Sequence, residues 1–191
     1  MPKKKQPAAL YEIRIALKVL KPTIWRRVAV PKDITLGDLH TVIQIAMGWD
    51  DDHLHEFQIG ETRYGRVMLE PSVFDDSPPV DEDIVHLNGV AKPKAKFKYW
   101  YDFGDDWMHE IRIEREVEPL TGNRSTRCIA GQNACPPEDC GGFPGYADLI
   151  EILADPAHEQ YEEMSEWVGD DFDPNTFDVA LADRRLSRLK V

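Results

Sequence analysis

Two histidines two residues apart, His53 and His55, are the side chains in this sequence best spaced for chemistry. Residues two apart on a strand share a face, so both imidazoles could serve one metal ion. His109 offers a third nitrogen. Carboxylates are plentiful nearby, in Asp102 and Asp105 ahead of His109 and in Glu138 and Asp139 further along. Where like charges crowd, one carboxyl pKa rises into a range useful for acid–base catalysis. The same residues have structural readings. Phe57 and Ile59 continue the His53/His55 face, so the two rings could border the core and only hydrogen-bond. Asp102 and Asp105 could cap a turn.

Cys128, Cys135 and Cys140 form a second donor set for zinc, with a histidine needed to complete a tetrahedron. No Cys-x-x-Cys is present, and buried inert thiols are the competing reading. Pro136-Pro137 stiffens this segment, while Gly141-Gly142 permits positive φ or close backbone approach. Asp171-x-Asp173-x-Asn175 opens like a calcium loop, but Thr176 replaces its turn glycine and Ala182 its final acid. A helix start at Asp173-Pro174 is expected there instead. Asp102-Phe-Gly104 copies a kinase triplet without a glycine-rich phosphate loop or a His-Arg-Asp motif.

The elements that position these residues follow from hydrophobic period. Tyr11, Ile13, Ile15, Leu17 and Val19 alternate with polar or small residues, which predicts a half-buried strand. A second strand follows over 24–30, after Lys21-Pro22-Thr23. Thr35 and Asp38 predict the start of a helix whose apolar residues are Leu36, Leu39, Val42, Ile43 and Ala46, with Gly48 as its stop. A third strand is expected over 53–59. Residues 61–94 read as irregular, with a short element near 84–87. The clearest hairpin spans 95–117, with Phe97, Tyr99, Tyr101 and Phe103 on one face and Gly104-Asp105-Asp106 at the turn. Its return strand aligns Trp107, His109, Ile111, Ile113 and Val117. Residues 121–145 read as one long loop, and long loops in compact domains are often functional. Helices are predicted over 146–154, over 156–168 behind Asp155, and beyond Pro174.

These elements predict an α+β fold. A disordered leader over residues 1–9 precedes a single domain over 10–191, with a mostly antiparallel or mixed sheet. Its order is strand-strand-helix-strand and then the hairpin, with C-terminal helices packed on the sheet. The chain has 191 residues, 42% hydrophobic, which suffices for one core and falls short of two ordinary domains. No stretch approaches the roughly 20 apolar residues of a membrane span. Met1-Pro-Lys-Lys-Lys is followed by Gln6-Pro7-Ala8-Ala9, not by an apolar signal core, and the cysteine count is odd. Both features predict a cytoplasmic protein with reduced thiols. The net charge is −12, and it is uneven. Through Arg27 there are eight basic residues against Glu12 alone; the remainder holds 15 basic and 34 acidic residues. Such a body repels phosphate backbones, so sequence-specific DNA binding is not expected and a protein partner fits better.

Four segments in order carry a resemblance. They are Leu20 through Trp25-Arg26-Arg27; Leu39-His40 through Gly48-Trp49 to His53-Leu54-His55-Glu56-Phe57; Tyr99 through Asp102-Phe-Gly104 to His109; and Cys128 through Cys135-Pro-Pro-Glu-Asp-Cys-Gly-Gly142 to Tyr146. Trp167 through Pro174 extends the match. The chain thereby resembles the plasmid-pRi ORF-three-like family over about residues 10–185. Some members of that family carry a resolvase-like, insertion-element passenger label. The resemblance implies no established reaction or ligand. Recombinase chemistry finds no support in the residues: the first serine is Ser72, far from the N-terminus. His109 and Arg112, an odd number of residues apart, fall on opposite strand faces. The leading expectation is therefore a binding or interaction module. The alternative is a metal-dependent, hydrolase-type enzyme using His53, His55 and His109 with the nearby carboxylates, zinc being the candidate cofactor.

Overall fold

The computed structural model describes residues 9–18, 20–67, 78–118, 126–169 and 171–189. Apart from Ala9, the expected leader lies outside these residues. Among them, eight strands form one sheet: β1 (Leu10–Leu17), β2 (Trp25–Pro31), β3 (His55–Ile59), β4 (Thr62–Gly65), β5 (Val80–Asp81), β6 (Lys96–Tyr101), β7 (Trp107–Val117) and β8 (Arg127–Gln132). The spatial order is β5-β4-β3-β6-β7-β1-β2-β8, with only the β4–β5 pair parallel. The helices are α1 (Leu36–Met47), α2 (Leu87–Val90), α3 (Gly142–Ala154), α4 (Tyr161–Val168) and α5 (Val179–Leu186). This is the mixed-sheet α+β class that the pattern predicts.

β6 and β7 form the expected hairpin. Tyr99 faces His109 and Tyr101 faces Trp107 across it. On the other side of β6, Phe57 faces Tyr99 and His55 faces Tyr101. Phe57, Phe97, Tyr99, Tyr101 and Trp107 are all buried, so the alternating face is the core face. α1 covers part of it. Thr35 Oγ1 accepts the Asp38 N–H at 3.0 Å, and Gly48 closes the helix at φ 107°, a left-handed geometry suited to glycine. Burying Leu36, Leu39, Val42 and Ile43 contributes about 1.5–3 kcal/mol each. His40 and Gln44 lie on the same buried side, where each reaches the Tyr99 hydroxyl at 2.8 Å.

The opposite face of the sheet is charged. Arg27 makes a two-point contact with Glu114, at 2.6 and 3.1 Å, and Arg115 donates to Glu12 at 2.9 Å. Arg26, one residue from this ladder, points the other way and is 1% exposed. Its guanidinium donates to the carbonyls of Ala46, Trp25, Gln132 and Asn133 at 2.9–3.0 Å and lies over the Phe177 ring at 3.7 Å. One cation thus fastens β2, the end of α1 and the chain leaving β8.

Several local expectations are corrected. Residues 121–145 are not one loop, because β8 pairs with β2 and α3 begins at Gly142. Its six residues hide this, since Cys128 is buried while Ile129, next to it, is 43% exposed at the sheet edge. Residues 119–125 lie outside the described residues. The irregular 61–94 segment contains β4, β5, α2 and a 3₁₀ turn at Glu82–Ile84, while residues 68–77 lie outside those described. Phe103 leaves the aromatic face and is exposed against Trp100 in the turn. α4 starts only at Tyr161. Asp173 caps a turn through the Asn175 N–H, and α5 begins after the Asp178 cap.

Candidate metal centre

Three loops meet at the end of the β3–β6–β7 face. The first follows α1, the second is the β6–β7 turn, and the third runs from β8 to α3. Trp49 Nε1 donates to the Pro136 carbonyl at 3.0 Å, which joins the first loop to the third. The Asp50 N–H donates to Glu138 Oε1 at 3.1 Å. Asp105 Oδ2 accepts the Gly141 N–H at 3.2 Å, which joins the second loop to the third. Gly142 sits so close that a Cβ there would lie 2.6 Å from the Asp105 carbonyl oxygen. At φ 66° it also occupies left-handed backbone, so glycine answers both demands.

His53, Asp102, Glu138 and Asp139 converge where these loops meet. His53 Nε2 lies 3.1 Å from Asp139 Oδ1, 3.8 Å from Asp102 Oδ2 and 3.9 Å from Glu138 Oε2. Each of the two more buried carboxylates has one oxygen already committed. Asp102 Oδ1 accepts the Gly104 N–H at 2.9 Å, and Glu138 Oε1 accepts the Tyr101 O–H at 2.8 Å. The second oxygen of each faces the imidazole. His53 Nε2 and Glu138 Oε2 are buried atoms with no hydrogen-bond partner; the Asp139 contact lacks hydrogen-bond alignment. Burial pushes the Glu138 carboxyl above its ordinary range, against the pull of the Tyr101 O–H and the Asp50 N–H. Three carboxylates facing one imidazole leave an excess of negative charge. One donor atom each from His53, Asp102 and Asp139 lies within 4.8 Å of the others, a separation a bound cation can span.

The other predicted residues lie elsewhere. β3 begins at His55, the first residue paired with β6, so His53 precedes the strand. Both rings still stand beside the β6 aromatics, His53 near Tyr101 and His55 near Tyr99. They enter different polar groups, however, because His55 Nε2 contacts both oxygens of Glu82 at 2.9 Å. His109 is fully buried; its Nδ1–H donates to the Trp107 carbonyl at 3.0 Å, and burial lowers its pKa to about 4. The set His53, His55 and His109 is therefore not gathered around one point. Nor is the cysteine set: among the described residues, neither group of clustered donors contains a thiol. Burial raises all three thiols, Cys128 to about 11 and Cys140 to about 12. Asp105 serves as the tie to Gly141 and is not among the clustered donors.

His40, Asp51 and Glu82 were not singled out from sequence. His40 Nε2 lies 2.7 Å from Asp51 Oδ1, and its ring stacks on His55 with centroids 3.4 Å apart and planes 4° from parallel. Burial, and then the adjoining His55, lowers the His40 pKa to about 4. The one sequence signal was a polar break in an apolar stripe: His40 and Gln44, four apart, follow Leu36 on the buried side of α1.

A family model described as plasmid pRiA4b ORF-3-like protein matches residues 9–181. An uncharacterised protein from Sinorhizobium fredii is 41% identical over 163 residues, which is 85% of this chain and 82% of that protein. The crystal structure of a protein of unknown function from Methanosarcina mazei Go1 is similar, with TM-score 0.82 and 36% identity. That match covers 93% of this chain and 98% of the other.

Proposed function

The chain belongs to the plasmid pRiA4b ORF-3-like family, and from that footing we propose that it is a divalent-cation-binding module. The cation is held by His53, Asp102, Glu138 and Asp139. The observation that carries this reading is the pair of buried, unpartnered atoms, His53 Nε2 and Glu138 Oε2, 3.9 Å apart and facing each other. Leaving such atoms unsatisfied costs about 1–3 kcal/mol each, and a cation between them removes that cost. An imidazole among carboxylate oxygens suits zinc, manganese or ferrous iron better than calcium or copper(I). The Tyr101, Asp50 and Gly104 hydrogen bonds orient the two carboxylates, as outer partners do around bound metals.

The Asp139 side chain is 76% exposed, and Asp139 also lines a groove of about 390 Å³ between α3 and α4. The cation is therefore reachable from solvent. That openness favours a second reading, metal-assisted hydrolysis by a bound water, whose signature is chelator-sensitive ester cleavage. Nucleic acid is not the partner in this account, since the acidic body disfavours it. Three free thiols support a cytoplasmic setting, and no helix among the described residues is long and apolar enough to cross a membrane.

Metal analysis of purified protein tests the proposal. After chelation, reloading with zinc and gel filtration, at least one equivalent per chain is expected to remain. Protein that retains neither zinc nor manganese under these conditions contradicts it.

A further inference from the structure

Loop 49–54 carries more metal-type donors than the outer site uses. Asp51, at φ 64°, turns its carboxylate to His40 on α1, and His55 at the start of β3 reaches Glu82. The His40, His55 and Glu82 side chains are 0%, 2% and 1% exposed. Arg66, half in solvent, donates to Asp51 Oδ2 at 3.1 Å but comes only to 4.0 Å from Glu82. Two carboxylates, one of them deeply buried, thus share one peripheral cation. The two imidazoles lie flat on each other, His40 with its Nε2 edge towards Asp51 and His55 towards Glu82, so one ring must turn out of the stack before both lone pairs meet at one ion. One ligand atom each from His40, Asp51 and His55 lies within 4.8 Å of the others.

We propose that His40, Asp51, His55 and Glu82 form a second, enclosed site for a divalent transition metal, separate from the outer site. Two imidazoles and two carboxylates are a donor set suited to zinc or ferrous iron. Enclosure fits a site that retains its metal, in contrast to the solvent-facing outer site. The surrounding bonds show how His40 becomes a ligand. The Gln44 amide donates to the Tyr99 oxygen, so the Tyr99 O–H points to His40 Nδ1 and the His40 proton sits on Nε2. Metal binding at Nε2 requires that proton to leave Nε2. A proton placed on Nδ1 instead would donate to the Tyr99 oxygen, an arrangement common for metal-bound histidine.

Zinc stoichiometry of the full chain, measured after chelation, reloading and gel filtration, tests the second site apart from the first. Wild-type protein is expected to hold two equivalents, Glu82→Gln one, and His53→Ala one. Glu82→Gln keeps the size of the side chain and an oxygen that can accept from His55. Asp51→Asn, at a partly exposed position where asparagine tolerates positive φ, provides a second variant and should also hold one. A wild-type value of one that His53→Ala abolishes, and that Glu82→Gln and Asp51→Asn leave intact, overturns the second site and keeps the first. One equivalent that survives His53→Ala and is lost in Glu82→Gln removes the first site and keeps the second. Two equivalents retained in both inner variants also overturn the proposal.

Discussion

Arg26→Met is expected to destabilise the fold by about 4 kcal/mol, at the severe end for a single substitution. The methionine can fill the space beside Phe177, but it cannot donate to the carbonyls of Ala46, Gln132 and Asn133. Each buried acceptor left without a partner costs about 1–3 kcal/mol. In a chain of this size the change corresponds to a fall in Tm of roughly 8–16 °C. Thermal melts monitored by circular dichroism check it. A fall of less than about 3 °C would mean that those carbonyls find other partners and that Arg26 is not the fastener described.

The second large effect concerns affinity. His53→Ala and Asp102→Ala are each expected to weaken metal binding at the outer site more than about 100-fold. Loss of a residue that only orients a ligand typically costs 10–100-fold, and loss of a ligand exceeds that. Tyr101→Phe, which removes only the hydrogen bond to Glu138, should fall inside the 10–100-fold interval. Competition titration against a chelator of known affinity separates these ranges. If His53→Ala binds as tightly as wild type while Tyr101→Phe does not, the imidazole is not a ligand.

Much of the fold was legible because its signals are local. The Thr35 cap, the apolar spacing of α1 and Gly48 lie within fourteen residues of one another, and the structure repeats that reading. The 95–117 hairpin was equally plain as far as Ile113, since β6 and the first part of β7 alternate about a Gly-Asp-Asp turn; a bulge opposite Glu12 and Ile13 then moves Val117 off the face expected for it. β8 was missed because an edge strand has only one neighbour and little to bury; Gly131 lies directly against Phe177, where a side chain would not fit. The site was partly legible. Residue type and turn chemistry drew attention to His53, Asp102, Glu138 and Asp139, but no local signal says that positions 53 and 138 meet. Trp49 and Asp50 make that junction, through single hydrogen bonds to residues 87 and 88 positions away. The His53–His55 pairing failed for a related reason. Period two indicates which face a side chain takes, while its partners depend on which distant loop arrives there. Here Glu138 and Asp139 arrive beside His53, and Glu82 beside His55.

The most direct measurement of the outer site is anomalous diffraction at the zinc edge from a crystal soaked in zinc. A peak is expected about 2.0–2.2 Å from His53 Nε2 and from the inward oxygens of Asp102 and Glu138, with Asp139 as the solvent-side ligand. No peak among these four residues, with His53 Nε2 instead hydrogen-bonded to a single carboxylate, would contradict it.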